Sequence, residues 1–125
     1  MAISYSFNDK VILLELANHY GVDEMKETIL KALADADCPG DAVLLLDLRQ
    51  DEAVKQRSSE DLRDMSFFFG KIADRISSKL CMVTNDPLAL GLMNMAKVYD
   101  QSRGLDCQTF TSMKDALKWL GSATA

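Results

Sequence analysis

The sequence predicts one α/β domain in which an antiparallel hairpin opens a mixed, mostly parallel sheet with helices packed on it. Three observations predict this class. Residues 42–48 (AVLLLDL) and 80–84 (LCMVT) are short apolar runs bounded by turn residues, the pattern of strands buried on both faces. Stretches with apolar residues at i, i+4 and i+7, the helical period, alternate with them. The resulting order, β-β-α-β-α-β-α-β-α, needs crossover connections after the hairpin, and crossovers make neighbouring strands parallel.

Each element has a local reason. In residues 2–7, Ile3, Tyr5 and Phe7 point one way and Ser4 and Ser6 the other, a weak strand alternation. Asn8-Asp9 is hairpin chemistry, because both residues tolerate positive φ, and residues 11–16 return as the second strand. After Tyr20-Gly21, Asp23 is placed to cap a helix with the stripe Met25, Ile29, Ala32, Leu33 and Ala36, stopped by Cys38-Pro39-Gly40. Residues 49–57 are polar and read as a loop after the central strand. Ser58 and Asp61 have capping-box spacing, ahead of a helix with the stripe Leu62, Met65, Phe68, Phe69, Ile72 and Ile76. Asp86-Pro87 starts a third helix that runs to about residue 99 and closes near Gly104. Residues 107–111 read as a last short strand, and Ser112 with Asp115 repeats the capping box before a final helix through Leu117 and Leu120. The closing GSATA is small and polar and is expected to fray.

Composition narrows the function classes. The chain has 125 residues, 48% of them hydrophobic, enough for the core of one domain spanning residues 1–125. Its net charge is -5 and no basic run appears, which argues against nucleic acid and anionic membrane surfaces as partners. No apolar run reaches the roughly 20 residues of a transmembrane helix, and the first residues lack the pattern of an export signal. Three cysteines, an odd number without such a signal, fit a reducing compartment, so the expected location is the cytoplasm.

No catalytic or metal-binding grouping assembles from the sequence. His19 is the single histidine, and no nucleophile motif or second ligand accompanies it. The 6 glycines never cluster into a phosphate-cradling loop. The expectation is a protein without enzyme activity, metal or cofactor. Asp47 ends the central strand, where α/β sheets place ligands; it serves either a ligand or the amides of the following loop.

The apolar excess is the most informative feature. On the second helix Phe67 falls toward the polar face with Arg63, Lys71 and Asp74. The third helix is apolar nearly all round, from Leu88 and Ala89 through Leu90, Leu92, Met93 and Met95 to Val98 and Tyr99. A helix on a sheet needs one apolar stripe, so the surplus is either core, a protein interface or the wall of an apolar pocket. Phe67, Leu90, Met93 and Met95 are the candidates, the methionines because their side chains adapt to many shapes.

The order of elements resembles the STAS domain, the fold of bacterial anti-sigma-factor antagonists and of sulfate-transporter cytoplasmic tails. The resemblance is carried by LANHYGVDEMKETILKAL after the first strand pair, by VLLLDL, by the pair Ser58-Ser59 opening the second helix, and by QTFTSMKDALKWL at the end. It covers about residues 3–121. The FxSxxDALxWL ending looks closest to the uncharacterised STAS-like branch that is compared with lipid-transfer domains of CRAL-TRIO type. The resemblance implies a non-catalytic regulatory or protein-interaction domain, and the apolar surplus of the second and third helices adds the expectation of a homodimer formed through them. The alternative is a carrier of a small apolar, lipid-like ligand held between the sheet and the third helix. The resemblance also points to Ser58 or Ser59 as a regulatory phosphosite, beside the capping role of Ser58. Members with that switch have an aspartate before the serines and a glycine after them; this chain has Arg57 and Glu60. Arg57 and the helix N-terminus would attract a phosphate there, and Glu60 would repel it.

Overall fold

The computed structural model describes residues 2–121; Met1 and residues 122–125, most of the tail expected to fray, lie outside the described residues. In chain order the elements are β1 (Ile3–Asn8), β2 (Val11–Asn18), α1 (Val22–Ala34), β3 (Val43–Asp51), α2 (Ser59–Lys71), β4 (Lys79–Val83), α3 (Pro87–Ser102), β5 (Asp106–Phe110) and α4 (Met113–Trp119). Two 3-10 turns, Val54–Gln56 and Ala73–Ile76, flank α2. This is the predicted α/β class and order.

The sheet has the strand order β1-β2-β3-β4-β5, with β1 antiparallel to β2 and every later pair parallel. Each crossover therefore steps one strand in the same direction. Right-handed crossovers that all step the same way put their helices on the same face. Accordingly α1, α2 and α3 pack together over Ile12, Leu14, Leu44, Leu46 and Leu80. Among the described residues the second face has α4 alone, which sets Ala116 and Leu117, with Leu120 just past its end, on Val11, Val43, Leu45, Cys81 and Val83. Lys79 fastens that helix: its Nζ donates to the Trp119 carbonyl at 3.0 Å and lies 4.6 Å from the indole centroid.

Local chemistry explains most boundaries. Asp9 takes φ 57° at the hairpin, and Ile3, Tyr5 and Phe7 all face the three-helix layer. Asp86 accepts from the Leu88 and Ala89 amides, with Pro87 behind it, and α3 closes at Arg103 before Gly104 at φ 86°. Ser58 and Asp61 form the full capping box.

The first helix ends at Ala34, short of Ala36, and β2 runs on to Asn18, and four further features differ from the sequence reading for a local reason. The N-cap of α1 is Gly21, without a side-chain cap, and Asp23 instead lies in the first turn, where its charge complements the helix dipole. Residues 49–51 continue β3 rather than forming a loop, because Ala17 and Asn18 of β2 pair with Gln50 and Asp51. The α2 stripe breaks after Lys71, so Ile76 reaches the core from a 3-10 turn that ends at Ser77 and Ser78, both with positive φ. The capping box at α4 is half made: Ser112 accepts from the Asp115 amide, and no return bond is seen.

Replacing the N-cap tests the start of α2. Ser58→Ala is expected to lower stability by about 1 kcal/mol, and Ser59→Ala by much less, as measured by urea denaturation.

Candidate functional site

The C-terminal ends of β2 and β3 meet at a buried carboxylate. Tyr20, just past β2, donates its hydroxyl to Asp51 Oδ2, and Asp51 Oδ1 accepts the Val54 amide at 2.8 Å. Burial raises the pKa of both groups, leaving Tyr20 neutral. Arg57 lies over the Tyr20 ring, 5.1 Å from its centroid, and donates to the Tyr20 carbonyl at 2.6 Å. This clasp fixes the turn into α2.

Behind the clasp, between the sheet and the helices, is an enclosed cavity of about 20 Å³, room for a single water. The sheet contributes Leu46, Leu48 and Met82, and α1 contributes Met25. From α2 come Leu62, Met65 and Phe69, and from α3 Met93 and Ala96. Three polar residues break this apolar lining: Arg57, Ser66 and Asp100. Arg57 Nε and Ser66 Oγ are buried and have no hydrogen-bond partner. Such atoms are costly unless something completes them.

Asp100 is buried, and the Cys107 thiol donates to its Oδ2 at 3.5 Å. Burial pushes its pKa up to about 6, while nearby Ser66, the Cys107 thiol and the Arg103 charge pull it the other way. The Ser66 hydroxyl favours the charged carboxylate by proximity without making a hydrogen bond of good geometry. The same carboxylate, after burial, raises the Cys107 thiol. Burial pushes Cys81 up to about 12 and also raises Cys38, so all three thiols stay protonated at neutral pH.

The residues singled out in the sequence part company here. Met93 is 1% exposed and belongs to the core and the cavity wall, so of the three readings of the apolar surplus it is not a surface interface residue. Its neighbour Leu90 is half-buried against the same core. Met95 and Phe67, at 41% and 47% exposed, are on the surface with Leu88 and Val98 at 59% and 60%. Phe67 carries two cations, Lys71 Nζ at 4.5 Å and the Arg103 guanidinium at 5.0 Å from its centroid. Asp47 is buried on the other face of the sheet, where it takes the Arg49 amide and a bidentate grip from the Arg49 guanidinium. The amide belongs to β3 itself and not to a following loop, and the Arg49 side chain was not part of the sequence reading of Asp47. Ser58 and Ser59 are exposed at the start of α2, but the guanidinium of Arg57 is turned to Tyr20 and away from any phosphate there. His19 is exposed just past β2.

Sequence reasoning missed Ser66, Asp100, Asp51 and the role of Arg57. A signal existed for two of them. Ser66 falls between Leu62 and Phe69, and Asp100 continues Ala89, Met93 and Ala96, so each is a polar residue on the buried stripe of its helix.

No protein-family model matches the chain, and no curated protein matches it in sequence. Its structure is similar to the crystal structure of an uncharacterised protein of the DUF3478 family with a SpoIIAA-like fold from Shewanella loihica. The likeness has a TM-score of 0.60 at 18% identity and covers 95% of this chain and 92% of that one. It shows that this chain has a SpoIIAA-like fold, as the STAS resemblance implied. Among the described residues no helix is long and apolar enough to cross a membrane.

Asp100 makes stability depend on pH. Its folded pKa is raised above the unfolded value, so its neutral form favours folding fully below about pH 4, and this contribution is lost as pH rises through about 6. Asp100→Asn is expected to flatten that slope and to raise stability at pH 8 by up to about 3 kcal/mol, read from denaturation curves between pH 4 and 8.

Proposed function

We propose that this SpoIIAA-like domain is a non-catalytic protein-binding module that docks through the outer face of α3 beside α2, with a second copy of the chain as its partner. One observation carries the reading. Every exposed position of α3 is uncharged; its two charged residues, Lys97 and Asp100, are half-buried and buried. In a chain with 26% charged residues, α2 exposes Glu60, Arg63, Asp64 and Lys71, and α1 exposes Asp23, Glu24, Glu27 and Lys31. Charge depletion around exposed aliphatic residues marks the centre of protein interfaces. An uncharged face also meets its own copy without like-charge repulsion, despite the net charge of -5. The reading includes a reducing, cytoplasmic setting, supported by three cysteines that form no disulfide. It also includes tuning at Ser58 or Ser59, supported by their exposure at the start of the neighbouring helix.

Sedimentation velocity over a range of concentrations tests the docking. A reversible dimer is expected for the native chain and a monomer for Val98→Asp, which leaves the core untouched. A native chain that stays monomeric to millimolar concentration overturns the reading.

The cavity favours a second reading, a small amphipathic ligand. Its wall holds four methionines, which rearrange easily, and its unpartnered Arg57 Nε and Ser66 Oγ suit a ligand carrying a hydrogen-bond acceptor. Met65 is half-buried and would be displaced on entry. Native mass spectrometry of protein purified from cells is expected to show one bound small molecule per chain under this reading; an apo mass alone counts against it.

A further inference from the structure

The outer stripe of α3 is patterned in size as well as in charge. Leu88, Gly91, Met95, Val98 and Ser102 are all exposed and follow one another at spacings of 3, 4, 3 and 4, the seam spacing of paired helices. They fall within about a quarter of the helix circumference, opposite the buried stripe of Ala89, Met93, Ala96 and Asp100. Gly91 has no use within the chain: a Cβ there would meet nothing within 4 Å. Glycine weakens a helix interior, and on an exposed stripe it lets a second backbone come close.

Symmetry about Met95 gives the stripe its meaning. Leu88 lies seven residues before Met95 and Ser102 seven after, while Gly91 lies four before and Val98 three after. Two antiparallel copies of α3 crossing at Met95 therefore set Leu88 against Ser102 and Val98 against Gly91, a large side chain on a small one each time. A parallel pair would set Leu88 on Leu88 and Gly91 on Gly91, leaving bulges beside gaps.

The two ends of the helix carry opposite charge. At its start, Glu52 and Asp86 share the single ammonium of Lys55, at 3.0 and 2.9 Å, leaving a net negative end. At its finish, Lys71 and Arg103 flank Phe67, and neither is in an ion pair among the described residues. Gly70 makes room for this arrangement, since a Cβ there would lie 3.2 Å from Arg103 Cδ. An antiparallel pair brings each positive end to the partner's negative end; a parallel pair would bring cation to cation.

We propose that α3 pairs antiparallel with the α3 of a second copy of this chain about a twofold axis near Met95, with Lys71 and Arg103 facing the partner's Glu52 and Asp86. The proposal rests on the docking reading above and adds its orientation and register. A single helix pair, about 24 Å long, is at the small end of specific interfaces, so the dimer is weak and exchanges readily.

Cysteine crosslinking with a short bis-maleimide, in a Cys38→Ser background, tests the register. Met95→Cys is expected to join to itself. Leu88→Cys is expected to join a Ser102→Cys copy and not itself. In sedimentation, Arg103→Glu is expected to raise the dissociation constant about tenfold, the size of two lost surface charge pairs, one at each end of the twofold interface, and Glu52→Arg added to the same chain to recover most of it. A native chain that never dimerises removes the docking reading and the register together. If the native chain dimerises and Val98→Asp prevents it, the docking reading stands; Leu88→Cys joining itself, no crosslink at Met95→Cys, or no recovery by Glu52→Arg then overturns the antiparallel register alone.

Discussion

The carboxylate of Asp51 is the point on which the arrangement of α2 and α3 over the sheet depends. It is buried, and it binds the Tyr20 hydroxyl and the Val54 amide together. The end of β2, the end of β3 and the turn into α2 therefore move as one unit. That turn carries Lys55, which reaches the cap of α3 at Asp86, and Arg57, which locks onto Tyr20. The approach of α2 and α3 to the sheet, and so the size of the cavity under them, follows from this small set of polar contacts. A buried carboxylate left without its partners would cost several times what each contact contributes, so the unit holds together or fails together.

How far the sequence could be read follows from the same physics. Element order was legible because strands and helices have different periods and because Ser58, Asp86 and Pro87 are local signals with local causes. Asp51 was not, because its role depends on Tyr20, 31 positions away. A polar stretch with a buried acid reads as a loop until its distant donor is known. Met93 and Met95 show the complementary limit. They are two residues apart on one helix, equally apolar, and only packing against the sheet buries the first and exposes the second. The polar breaks in the apolar stripes, Ser66 and Asp100, were readable in principle, since a charged residue on a buried stripe always needs an explanation.

The cavity and the outer face of α3 share a helix. Met93 and Asp100 line the inside, and Met95 and Val98 stand outside. Any change in how α3 sits on the sheet is felt on both sides, since a packed helix moves as a body. The protonation of Asp100 is one such influence, because its charged form is costly where it lies and its neutral form is not.

The monotonic strand order has a consequence for how the chain is made. Each strand is laid beside the one just before it, so synthesis from the N-terminus can extend the sheet one edge at a time without waiting for distant partners. The three-helix layer is finished along the way, because every crossover delivers its own helix. The other face has no such provision. Val11, Val43, Leu45, Cys81 and Val83 all wait for Ala116, Leu117 and Leu120, which arrive with the last helix described. Until then the nascent chain shows the cell an apolar strip down the middle of a nearly complete sheet, and it is in that interval that a chaperone would find it.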